Sequence, residues 1–136
     1  MNNSQRRALE MKLIYEREMG GEGGESTLTD LLEIAPGTRG IARARQTVEA
    51  VFSKLPEIDA MIQTHAKDWA VERMARIDLA ILRLAAYELM YCANIPAGAS
   101  INEAVELSRI YSSVESGAFI NGVLGNMGRA LEGQRP

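Results

Sequence analysis

The sequence predicts an all-α fold. Apolar residues recur at helical spacing, as at Ile41, Ala44, Val48, Val51, Phe52 and Leu55, which gathers them on one face of a helix. Serine and glutamate stand three residues apart at Ser100/Glu103 and at Ser112/Glu115, the spacing of a capping box that starts a helix. No segment shows the apolar–polar alternation of a half-buried strand.

The elements follow in order. A first helix is expected from Ser4 to Met19, with Ser4 as its cap. Gly20, Gly21, Gly23 and Gly24 then break the chain into an acidic loop. A short helix over Leu28 to Ile34 is ended by Pro36-Gly37. The stripe from Arg39 to Leu55 marks the next helix. Pro56 suits the first turn of the one after it, whose stripe is Ile58, Met61, Ile62, His65 and Trp69. From Val71 to Cys92 the chain is apolar on nearly every side, the pattern of one central, buried helix. Asn94 to Gly98 end it, and the last two helices start at Ser100 and Ser112. Gly122 lies inside the last helix, where glycine costs about 1 kcal/mol relative to alanine. That cost predicts a close helix approach at Gly122.

Composition narrows the function. The chain has 136 residues, enough for one domain with a real core. Its 46% hydrophobic and 24% charged residues are the balance of a soluble globular protein. The single Cys92 has no internal disulfide partner, which points to a reducing compartment. No apolar run reaches the roughly 18 residues of a membrane span, and the N-terminus lacks the apolar core of a secretory signal. A cytoplasmic protein is expected. The net charge of -3 is not that of a stand-alone nucleic-acid binder.

Catalysis finds little support. The one histidine, His65, lies on an apolar stripe, where a core or edge role is the ordinary one. No Cys/His set has zinc-ligand spacing. The glycine cluster lacks the Lys-Ser/Thr of a phosphate loop. Glu103 and Glu106 are explained by capping and solvation. No catalytic residue, metal or cofactor is therefore expected. Basic residues recur on the first helix (Arg6, Arg7, Lys12, Arg17), then at Arg39, Arg43 and Arg45, and at Arg73, Arg76 and Arg83. Exposed helix arginines are usually solvated faces, but Tyr15 beside Arg7 and Lys12 adds an RNA reading, because single strands are bound by stacking plus phosphate contacts. Asp78 interrupts the apolar stripe between Ala75 and Ile81. A buried aspartate either satisfies a structural partner or marks a binding groove.

One family pattern gathers these residues. Trp69, Glu72-Arg73-Met74-Ala75-Arg76-Ile77-Asp78, Ile81-Leu82-Arg83-Leu84-Ala85 and Tyr87-Glu88-Leu89 are followed by Pro96 and Ile101-Asn102-Glu103-Ala104-Val105-Glu106-Leu107. Tyr111, Ser116 and Phe119-Ile120-Asn121-Gly122-Val123-Leu124 complete the set. In this order and spacing they resemble the NusB transcription-antitermination family. The resemblance implies a seven-helix, all-α domain of two small packed bundles, about 1–55 and about 56–136. It implies a protein that is not an enzyme. It also implies pairing with a small-subunit ribosomal protein, NusE, and binding of that pair to boxA-type RNA in nascent ribosomal RNA transcripts, within the RNA polymerase antitermination complex. The family's RNA surface maps to Arg6, Arg7, Lys12, Tyr15 and Phe119. Its ribosomal-protein surface maps to Glu72, Arg76, Asp78 and Glu115. The sequence departs from the family where its first five residues, Met1 to Gln5, carry no arginine. Lys12 replaces a family glutamine, Leu79 an arginine and Gly125 an acidic residue. Two functions follow as expectations: an RNA-binding antitermination factor, or a protein-interaction module of the same fold that has lost RNA recognition.

Overall fold

The computed structural model describes residues 1–20 and 38–134, and no strand occurs among them. Six α-helices are described: α1 (Asn3–Glu18), α2 (Thr38–Ser53), α3 (Leu55–His65), α4 (Arg76–Tyr91), α5 (Ala97–Tyr111) and α6 (Val114–Leu131), with a short 3-10 turn at Val71–Arg73. The helix expected over Leu28 to Ile34 lies outside the described residues. The chain divides into two compact units, Met1–Ser53 and Lys54–Pro136.

In the first unit α1 starts at a capping box. The Asn2 side chain accepts from the Gln5 amide, and the Gln5 side chain accepts from the Asn2 amide, both at 2.8 Å. The cap is thus Asn2, two residues before the expected Ser4, because Gln5 is placed to complete the pair. Leu9, Met11, Leu13 and Ile14 of α1 are buried, as are Ile41, Ala44, Val48 and Val51 of α2. The two helices pack side by side and run in the same direction. At one end Gly40 lies so close to Met1 that a Cβ there would stand 2.9 Å from the methionine sulfur. At the other end Arg17 donates to Glu49 at 2.7 Å and lies 4.2 Å over the Phe52 ring.

In the second unit α4 is the centre, packed by α3, α5 and α6. Leu79 to Ala86 and Leu89 are buried along it, as the apolar pattern predicts. Two of its buried charges are paired with neighbouring helices. Arg83 clasps Asp59 of α3 with two parallel hydrogen bonds of 2.9 Å. Glu88 accepts from Ser100 of α5 at 2.6 Å.

Four further boundaries and contacts differ from expectation. The single helix expected over Val71 to Cys92 is interrupted, since Met74 and Ala75 are extended and α4 begins only at Arg76. α5 starts at Ala97 behind Pro96, so Ser100 is not its cap but a buried donor to Glu88. Ser113, not Ser112, caps α6 by accepting from the Ser116 amide. Gly122 is exposed, with nothing within 4 Å of a Cβ placed there. The close approach falls at Gly117, where a Cβ would stand 3.1 Å from Ser108 Oγ of α5.

Candidate functional site

A groove of about 380 Å³ opens in the second unit. Trp69, Arg73, Met74 and Ala75 of the segment between α3 and α4 form one wall. Asp78 of α4 lies at the groove, and Glu115, Ser116 and Phe119 of α6 form the opposite wall. The break in the expected helix therefore has a local result: the extended residues Met74 and Ala75 turn the chain from α3 into α4 along the groove. Trp69 is 55% exposed and meets Phe119 edge-to-face, with ring centroids 6.0 Å apart.

Asp78 carries the electrostatics. It is 8% exposed. Its Oδ2 accepts from Ser116 Oγ at 2.8 Å, and Ser112 and Ser113 place their hydroxyls 3.0 Å from that same Ser116 oxygen. Its Oδ1 is buried and has no hydrogen-bond partner among the described residues. A buried carboxylate oxygen left without a donor carries a desolvation cost. Glu115, exposed on the adjacent wall, adds a second negative charge, and Arg73 is the one cation lining the groove among the described residues. Half-exposed aromatic surface beside a few fixed polar atoms suits a protein segment with apolar and basic groups.

The sequence-predicted residues separate into two places. Asp78, Glu115 and Phe119 line the groove together. Phe119, expected on the RNA surface, thus shares a site with two expected partner residues. Glu72 is exposed on the 3-10 turn and does not line the groove. Arg76 directs its guanidinium to backbone carbonyls of Val71, Glu72 and Met74. Arg6, Arg7, Lys12 and Tyr15 all lie on α1. Arg6 and Arg7 are each only 7% exposed, and Arg6 pairs with buried Glu10 at 3.6 Å. Lys12 and Tyr15 are half-buried. Sequence reasoning missed Trp69, Arg73, Met74, Ala75 and Ser116 as groove residues. A lone tryptophan following the polar run Lys67-Asp68 was the available signal. No group of three or more His, Cys, Asp or Glu residues able to hold a metal occurs among the described residues. No described helix is long and apolar enough to cross a membrane.

The NusB family pattern matches residues 4–129. The chain belongs to the NusB family. The transcription antitermination protein NusB of Acetivibrio thermocellus is 41% identical over 122 residues, covering 89% of this chain and 84% of that protein. The Desulforamulus reducens protein of the same name is 38% identical over 128 residues, covering 93% of this chain and 90% of the relative. Among solved structures, T. maritima NusB superposes with a TM-score of 0.83 at 27% identity, covering 95% of this chain and 92% of that one. A chain from a structure of antitermination factors NusB and NusE in complex with double-stranded RNA shares the fold. It has a TM-score of 0.76 and 23% identity, and covers 96% of this chain and 99% of that one.

Proposed function

We propose that this NusB-family chain is a transcription antitermination factor. It pairs with the small-subunit ribosomal protein NusE through the groove of its second unit, and the pair binds boxA-type single-stranded RNA in nascent ribosomal RNA transcripts. It works without catalysis or a cofactor, in the cytoplasm, as part of the RNA polymerase antitermination complex. The observation that carries the pairing is Asp78, a buried carboxylate with one oxygen unpartnered, beside an aromatic wall and Glu115. Ribosomal proteins are commonly basic, and the negative charge of Asp78 and Glu115 attracts one while Trp69 and Phe119 cover its apolar flank. The matched solved chain that stands with NusE supports the same reading. On this reading Asp78, Glu115 and Glu72 face the partner, and Phe119 joins them.

RNA is repelled from a groove with two carboxylates, so its contacts belong on α1. There Lys12 and Tyr15 supply charge and a stacking ring, while Arg6 and Arg7 hold the helix from within. The burial of those two arginines favours a second reading, a NusB-fold interaction module with weak or lost RNA binding.

Calorimetric titration with the ribosomal protein tests the pairing. The wild-type chain is expected to bind, and Asp78→Asn to weaken binding by about tenfold, the equivalent of about 1.4 kcal/mol. No binding by the folded wild-type chain removes the antitermination reading. Titration of the pair with a boxA-type RNA then separates the factor from the module.

A further inference from the structure

The segment joining α3 to α4 builds one whole wall of the groove, yet its only regular structure is the turn at Val71–Arg73. Its backbone is held by two side chains from the flanking helices. Gln63, in the last turn of α3, donates to Trp69 O at 2.9 Å and to Ala66 O at 3.4 Å, and accepts from the Val71 amide at 2.9 Å. Arg76, the first residue of α4, donates through Nη2 to the carbonyls of Val71, Glu72 and Met74 at 3.1, 2.9 and 2.7 Å. Its Nε adds a bond to Met74 O at 3.2 Å. Neither side chain lines the groove.

We propose that Gln63 and Arg76 are positioning residues for partner docking: they hold the Trp69–Ala75 wall in its binding shape before the partner arrives. The inference rests on the reading that the groove receives the ribosomal protein. An irregular segment left to itself loses conformational entropy when a partner orders it, and that loss is subtracted from affinity. Arg76 suits this role because a planar fork reaches several carbonyls at once, which a lysine ammonium on a flexible stem does not. Gln63 suits it because one amide offers both the donor that Trp69 O needs and the acceptor that the Val71 amide needs.

Trp69 is the only tryptophan in the chain and sits on this wall, so its emission reports the segment directly. The test uses the full chain with Gln63→Met, Arg76→Lys and the double variant. Arg76→Lys keeps the charge, so its effect is not a change in electrostatic attraction. The double variant is expected to retain its helical circular dichroism. Its Trp69 anisotropy falls, exchange of the Val71 amide speeds up about tenfold, and its affinity for the ribosomal protein drops about tenfold. Affinity within about twofold of wild type overturns the proposal, as does weaker binding with unchanged Trp69 anisotropy, which would mean direct contact with the partner. If the double variant loses its fold, Arg76→Lys alone is read by the same three measurements. Failure of the wild-type chain to bind overturns the pairing itself. Trp69 anisotropy and Val71 exchange in the free variants would then still report whether the two side chains hold the wall.

Discussion

At Asp78 one carboxylate oxygen is satisfied by Ser116 and the other is buried without a partner among the described residues. Binding and stability then pull in opposite directions at this position. Asp78→Asn keeps the shape and replaces a buried charge by a neutral amide, whose desolvation is less costly. The free variant is expected to gain about 1 kcal/mol of stability in urea unfolding while losing affinity for the partner. A loss of stability instead would show that the charge is satisfied in the free protein. The anomaly of Asp78 was visible in the sequence, because an acid breaking an apolar stripe has few explanations. The roles of Arg6 and Arg7 were not visible. Charge alone does not say that an arginine near the N-terminus is buried beside a glutamate such as Glu10.

Gly117 and Gly122, two of the four glycines of α6, show what sequence periodicity conveys about an element and what it omits. Glycine in a helix predicts a reason, and the reason lies at Gly117, where a Cβ would stand 3.1 Å from Ser108 Oγ. Ser108 is fully buried and donates to Val105 O at 2.6 Å, so it has little room to move. Gly122→Ala is expected to raise stability by about 1 kcal/mol through helix propensity alone. Gly117→Ala forfeits that gain to overpacking and comes out below it. Thermal unfolding of both variants checks the order, and equal gains would show that α5 yields freely. Helix identity was legible from apolar spacing, but starts were not. Asn2, Pro96 and Ser113 each lie within four residues of another plausible cap (Ser4, Ser100 and Ser112), and tertiary hydrogen bonds such as Ser100 to Glu88 decide between them. The break at Met74 and Ala75 was hidden for the same reason: an apolar run reads the same whether it is one helix or an extended step into one.

For the whole molecule, the all-α class and the central place of α4 were legible because α4 is buried on most of its faces and has to be apolar there. The groove was legible only in Asp78 of α4 and Glu115 of α6. Its other wall depends on a loop conformation that no repeat in the sequence encodes. On the proposed pairing, a chain with a net charge of -3 gains RNA affinity mainly through its basic partner, and that coupling is reciprocal. Calorimetry is expected to show that boxA-type RNA tightens the protein pair by the same factor by which the ribosomal protein tightens RNA binding. Unequal factors would mean that one of the three components changes its own association state.

The bidentate clasp between Asp59 and Arg83 also has a history written into it. Replacing Asp59 alone takes the bidentate partner from the buried Arg83 guanidinium, and replacing Arg83 alone leaves a half-buried carboxylate, whereas replacing both with apolar residues of similar volume is often neutral. A lineage leaving this pair therefore has to cross a depleted intermediate, or change both positions nearly together. The two sites, twenty-four positions apart on different helices, are bound to one evolutionary fate: related chains should keep both or neither.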